Sequence, residues 1–260
     1  LRKAVNQNPL LPDCPFNLDI TLTPEGNTLY SHVSIAMKQL EDGENAIIKS
    51  KSLSGGTICI GVSEIALRIF LLKKLEKFTE LFPDVEIKLT NHSTNQAVNA
   101  LKAGLVDFAV VTTPVNLTND MKSESLCSFN DILIAGPKYK QLCNKALHLE
   151  ELQEYPFISL VEGTGTHDHY TKFFYDNDLH FNLDMEASTT DQVLAMVQSN
   201  LGLGFYPEQL ASEYIMRGEI FPVSLHESAP ERDIILIRES RHTESIAAKK
   251  LINFLKHTTN

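Results

Sequence analysis

Between residues 53 and 115 the apolar positions switch repeatedly between a strand-like and a helix-like period. Thr57-Ile58-Cys59-Ile60-Gly61-Val62 is a short apolar run that stops at Ser63, which predicts a buried strand. Leu67, Leu71, Leu75, Phe78 and Phe82 then follow a helical spacing up to Pro83, which ends the helix. Val85-Glu86-Ile87-Lys88-Leu89 predicts a second strand, leading to Asn91-His92-Ser93-Thr94. A short helix carries Val98 and Leu101 and closes at Gly104, and Asp107 to Val111 forms a third strand capped by Thr112-Thr113-Pro114. Strands joined by helical crossovers of this length build a parallel sheet, wound right-handed. Ligands of such sheets bind beyond the carboxyl ends of the strands, where these hydroxyl residues stand.

Upstream, the pattern changes to a long helix. Thr23 is a good N-cap, Pro24 suits the first helical position, and Glu25 suits the positive end of the dipole. The helix is expected to run to about Lys49, roughly 40 Å at 1.5 Å per residue. Leu29, Val33, Ala36, Leu40, Gly43 and Ile47 form a 4-3 seam that calls for a partner helix, and Ser54-Gly55-Gly56 reads as the hinge after it. A dimerisation arm is the expectation. Before Thr21, three prolines between Asn6 and Pro15 and no clean periodicity predict a loop, a tail or a truncated element.

Composition narrows the possible functions. With 260 residues and 43% hydrophobic content, the chain can bury one large core or two modest ones. A formal charge of −10 argues against a broad nucleic-acid-binding surface on these residues. Cys14, Cys59, Cys127 and Cys143 show no CxxC pairing or zinc spacing, so a reducing cytoplasm is expected rather than a disulfide framework. There is no apolar run of membrane-spanning length, and Leu1 to Val5 lacks the apolar core of a signal peptide.

These residues together resemble the LysR-type transcriptional regulators, over about Ile20 to Phe254. Thr21-Leu22-Thr23-Pro24-Glu25-Gly26 with Leu29-Tyr30 looks like the family's end of wing and start of linker helix. Ser54 to Gly61 looks like the first strand of its effector domain, and Phe82 to Ile87 and Leu101 to Ala109 are similar to the next two signatures. Met196-Val197 and Gly202 to Pro207 resemble the motif of its second subdomain. Each motif is weak alone; six in the right order are specific. The family's winged helix-turn-helix precedes the linker helix, whereas here Asp13-Cys14-Pro15-Phe16 is at most a remnant of the approach to the wing. The resemblance therefore implies the sensing and oligomerising part of a DNA-binding regulator, a homodimer or homotetramer that meets promoter DNA only through a head missing from these residues.

The expected fold is α/β, with two Rossmann-like subdomains joined by a hinge and enclosing a cleft, in the manner of type 2 periplasmic binding proteins. Residues 1–53 are expected to form the wing remnant and linker helix, 54–131 plus 240–260 the first subdomain, and 132–239 the second. Asp131 to Pro137 reads as the strand crossing into the second subdomain, and Arg232 to Ile237 as the strand returning toward the first. Between them, Pro156 to Val161 and Met185 to Ser188 read as strands, and helices carry Tyr170, Phe173 and Phe174, then Val193, Met196 and Val197. A final helix is expected from Ser245 to Leu255.

Ser63, Ser93 or Thr94, Thr164 or Thr166, and Thr190 each fall at the expected start of a helix. Helix starts offer unpaired N–H groups and a positive dipole end, so four converging on one cleft could hold a small carboxylate or similar anion without a dedicated Arg. The competing reading makes each of them merely an N-cap. By resemblance, Ser63, Thr112 and Thr190 line the family's effector pocket; Thr113 lies at the same strand end as Thr112. Glu64 either accepts a hydrogen bond from an effector amine or sits in solvent.

Catalytic signals are weak. Gly163-Thr164-Gly165-Thr166 lacks the Lys of a phosphate loop, His167-Asp168-His169 diverges at a helix start without a third ligand, and there is no GxSxG elbow. The expectation is a non-enzymatic, cytoplasmic protein with no cofactor, metal or membrane contact. The alternative is an extracytoplasmic solute-binding protein of the same fold.

Overall fold

A computed structural model describes residues 22–49, 56–91, 93–240 and 244–257, with the side chains of 42, 44–49 and 91 excepted. Helix α1 spans Pro24–Lys49. Its start is fixed as expected, the Gly26 N–H donating to the Thr23 hydroxyl at 3.0 Å. Leu29, Val33, Ala36 and Leu40 of the 4-3 seam are exposed, together with Met37, so this apolar stripe has no cover among the described residues. The Ile47 side chain and the Ser54-Gly55 part of the hinge lie outside the described residues. Lys38 on another face of α1 donates to the Leu105 carbonyl at 3.2 Å.

The first lobe follows the apolar pattern closely. β1 (Gly56–Val62) pairs in parallel with β2 (Val85–Asn91) and β3 (Phe108–Thr112). The intervening helix comprises α2 (Glu64–Ala66), a π-turn at Leu67–Leu71 and α3 (Leu72–Leu81), and it stops before Pro83. Helix α4 (Thr94–Lys102) is followed by Gly104 at φ 66, a left-handed position that glycine adopts without strain.

β4 (Met121–Phe129) has no counterpart in the sequence reading. Its residues are mostly polar and it lies at the sheet edge, so it carries no apolar run.

β5 (Asp131–Ala135) starts the second lobe after a single intervening residue, Asn130. Two 3₁₀ segments, Pro137–Asn144 and Leu149–Glu154, lead to β6 (Ile158–Leu160) and α5 (Gly165–Tyr175). β7 (Met185–Ala187), α6 (Thr190–Gln198), β8 (Leu203–Pro207), α7 (Glu208–Met216) and β9 (Phe221–Val223) complete it. The strands order as β8-β5-β9, with the parallel pair β6–β7 joined to β8 through a bridge between Phe157 and Leu203.

The chain returns in β10 (Arg232–Glu239), which inserts antiparallel between β3 and β4, and ends in α8 (Ile246–His257). The second subdomain was expected to extend to residue 239; by strand pairing, β10 belongs to the first sheet, order β2-β1-β3-β10-β4.

Both lobes are sheets covered on two faces. In the first, Ile58, Ile60 and Phe78 pack with Leu251, Ile252 and Leu255 of α8, while Val98, Leu101, Val111 and Ile235 fill the opposite face. In the second, strand alternation sends Leu133 and Phe205 to an aromatic cluster with Tyr170, Phe173 and Phe174, and Ile134 and Tyr206 to the face under α6.

Candidate ligand cleft

The carboxyl ends of β1 and β3 and the starts of α4, α5 and α6 converge on a cavity of about 200 Å³ between the lobes. Its lining includes Ser63, Ser93, Thr94, Thr112, Thr164, Thr166 and Thr190, seven of the eight residues expected there. Thr113 is the exception. Successive strand residues face opposite ways, and its hydroxyl accepts from the Asp233 N–H at 2.9 Å on β10.

The helix starts are built from the residues that cap them. Ser93 and Gln96 form a reciprocal capping box on α4, at 3.3 and 3.0 Å. The Thr164 hydroxyl accepts from the His167 N–H at 3.2 Å on α5. On α6 the cap is Thr189, accepting from Gln192 at 3.3 Å, and not the expected Thr190, which is the first helical residue. Thr94 donates to the Thr112 carbonyl at 3.1 Å. Ser63 makes no capping bond: its hydroxyl is buried and without a hydrogen-bond partner among the described residues. A buried, unpaired hydroxyl costs about 1–3 kcal/mol, which a ligand can offset.

Two joints tie the lobes together across this cavity. At one, the Asn95 side-chain amide on α4 donates to the Gly163 carbonyl at 2.7 Å, and Gly165 lies so close that a Cβ would sit 2.8 Å from the Pro114 carbonyl. At the other, the Thr190 N–H at the start of α6 donates to the Glu64 carboxylate at 3.2 Å. The π-turn projects Arg68 across the same joint, where it pairs with Asp191 and donates to the Tyr206 hydroxyl at 3.3 Å. Burial, with Asp191 nearby, holds the Glu64 carboxyl above the ordinary carboxylate range. Burial pushes the Tyr206 phenol up to about 12.

Behind the cavity lies a group that the sequence reading missed. Arg232 is 1% exposed and pairs at 3.0 Å with Asp131, which is equally enclosed. Its remaining N–H groups donate to the Thr112 hydroxyl (3.2 Å), the Thr166 hydroxyl (3.0 Å) and the Thr113 carbonyl (2.9 Å). Arg232 is not among the described residues that line the cavity, yet it fixes two of the lining hydroxyls from behind. Burial, and then the Arg232 charge, lower the neighbouring His169 imidazole to about 4. Among the described residues, no three His, Cys, Asp or Glu side chains gather closely enough to hold a metal ion. No helix among them is long and apolar enough to cross a membrane.

Known proteins share this architecture. The effector-binding domain of QuiR in complex with shikimate superposes with a TM-score of 0.70 at 16% identity, over 78% of this chain and 96% of that one. The regulatory domain of Synechocystis CcmR in complex with 2-PG gives a TM-score of 0.70 at 15% identity, over 77% and 96%. Among curated proteins, the HTH-type transcriptional regulator CfxR of Cupriavidus necator is 23% identical over 201 residues, 77% of this chain, and the chain spans only 63% of CfxR. CbbR of Rhodospirillum rubrum is 23% identical over 238 residues, 91% of this chain and 78% of CbbR. Residues 51–260 match the family described as the LysR substrate binding domain, and the chain belongs to that family.

Proposed function

We propose that this chain is the ligand-sensing and oligomerising part of a cytoplasmic LysR-type transcriptional regulator, and that it binds a small anionic metabolite between its lobes. The observation that carries the reading is the convergence of the α4, α5 and α6 starts, with the unpartnered Ser63 hydroxyl, on one cavity. Those starts present N–H groups and positive dipole ends that suit an anion. The complexes of QuiR with shikimate and of CcmR with 2-PG support a small-molecule ligand. Promoter DNA would be met by a helix-turn-helix head outside these 260 residues.

A ligand acts on such a protein only through different affinities for two arrangements of the lobes. Here the arrangement is held by the Asn95–Gly163 and Glu64–Thr190 joints, the Arg68–Asp191 pair and the Arg232–Asp131 pair, and of these residues Glu64 and Thr190 line the cavity itself.

The test is a thermal-shift screen against sulfate, phosphate, small carboxylates and phosphorylated acids, with neutral and cationic compounds beside them. A ligand at about 100 times its Kd adds roughly 2.7 kcal/mol, worth several degrees at about 2–4 °C per kcal/mol. Anion hits weakened about tenfold or more by Ser63→Ala or Thr94→Val are expected. Hits confined to neutral or cationic compounds would sink the reading.

The exposed stripe of Leu29, Val33, Ala36 and Leu40 favours a regulator over a monomeric solute carrier, which has no use for an apolar helix face. Light scattering is expected to give at least twice the 29.1 kDa chain mass. A strict monomer at working concentrations would favour the carrier instead.

A further inference from the structure

The cavity is not uniformly suited to an anion. Among its described lining residues one side chain is formally charged, and it is a carboxylate, Glu64. The two joints differ in what they leave unsatisfied. The α6 start already holds an anion of the protein's own, because Glu64 accepts from the Thr190 N–H there. The positive end of α6 is thereby largely offset.

At the other joint, α4 and α5 meet start to start through Asn95 and Gly163, and among the described residues no carboxylate lines the cavity on that side. Both helices exceed two turns, nine and eleven residues, so each contributes a full dipole end. Ser63, next to Glu64 in sequence, adds a hydroxyl that is 6% exposed, lines the cavity and has no partner among the described residues.

The cleft thus has a donor pole at α4 and α5 and an acceptor pole at Glu64. A ligand that is only an anion gains at the first pole and meets like charge at the second. A ligand carrying a protonated amine a few bonds from its anionic group satisfies both, since ammonium offers three donors and no acceptor. Glu64 is partly buried, accepts from one N–H, and has the Asp191 carboxylate beside it and Arg68 at 3.8 Å, so its carboxylate still has capacity to accept and a second negative group stands behind it to favour a cation.

Resting on the anion-sensing reading above, we infer that the effector is a small zwitterion of the amino-acid class, and that Glu64 is the residue that selects its amine. The ligand anion would sit against the starts of α4 and α5, with the amine at Glu64 and Ser63 between them.

Calorimetry on the whole chain tests this with matched probes: L-alanine, L-serine and L-aspartate against lactate, glycerate and malate, which replace the amine by hydroxyl. Sulfate serves as a plain anion. At least one amino acid is expected to bind ten-fold or more tighter than its matched hydroxy acid. Glu64→Gln should erase that preference, weakening the amino acid at least ten-fold while tightening the hydroxy acid severalfold. Glu64→Asp, which keeps the charge on a shorter arm, should retain a reduced preference and serves as the folding control. Hydroxy acids or sulfate binding as well as every amino acid, with Glu64→Gln without effect on the ratio, would overturn the amine assignment and leave the anion reading standing. Silence from amino acids, hydroxy acids and sulfate alike would take down both.

Discussion

Replacing Arg232 by Met is expected to destabilise the protein by about 3–5 kcal/mol, the cost of leaving one member of a buried ion pair alone. Asp131 would be left without its partner in a site where both side chains are 1% exposed. The hydroxyls of Thr112 and Thr166 and the Thr113 carbonyl would each lose a donor, and Phe129 would lose the cation 5.1 Å from its ring centre. At about 2–4 °C per kcal/mol, the melting midpoint falls by about 10 °C. The pair spans the lobes, β10 carrying Arg232 in the first sheet and β5 opening on Asp131 in the second. The loss is therefore expected to loosen the lobe arrangement as well as the fold. Removing both charges, Arg232→Met with Asp131→Leu, should recover a substantial part of the stability, because no unpaired charge then stays buried. Thermal denaturation of the two variants separates these outcomes. A single variant melting within about 1 °C of the wild type would refute the assigned role.

An Arg at the head of an apolar strand, Arg232-Asp233-Ile234-Ile235, looks like a solvated charge at a strand end. Its partner is 101 residues away, and no local periodicity links the two. β1, β2, β3 and the helices between them were legible because burial on both faces leaves continuous apolar runs and helical spacings. β4 was not, because this edge strand is largely open to solvent between its two buried ends, and Met121 to Phe129 holds two Lys or Glu and three Ser. The cleft was legible as small hydroxyls at strand ends and helix starts. Its finer register was not: the α6 cap is Thr189 instead of Thr190, and of the adjacent pair at the end of β3 only Thr112 faces the cavity. Strand alternation could have chosen between Thr112 and Thr113 only once the inward face of β3 was known. The crossing of Arg68 to Asp191 depends on a π-turn, and no residue pattern here announces one.

Gly136→Ala is expected to cost about 3 kcal/mol or more, for lack of space rather than for backbone strain. Gly136 has φ −76, a value open to any residue. A Cβ there, however, would stand 2.2 Å from the Val197 carbonyl oxygen and 2.8 Å from the Asn200 side-chain oxygen. The first contact is backbone in the last turn of α6, so no rotamer change relieves it, and the helix must move away from β5. The Asn200 side chain is itself committed, accepting from the Lys138 N–H at 2.7 Å. The melting midpoint should fall by about 6–12 °C. The same displacement reaches the cavity, because α6 begins at Thr190 and Asp191, the residues that meet Glu64 and Arg68 across the joint. Ligand affinity is therefore expected to fall in Gly136→Ala although residue 136 lines no part of the cavity. Gly43→Ala provides the contrast, since a Cβ at this helical position meets nothing within 4 Å. There the substitution should stabilise α1 by about 0.5–1 kcal/mol, because alanine loses less backbone freedom on entering a helix. Melting curves of opposite sign for the two substitutions are the expected result. A Gly136→Ala variant that keeps wild-type stability would mean that α6 is seated loosely enough to absorb a methyl group, and the cleft wall with it.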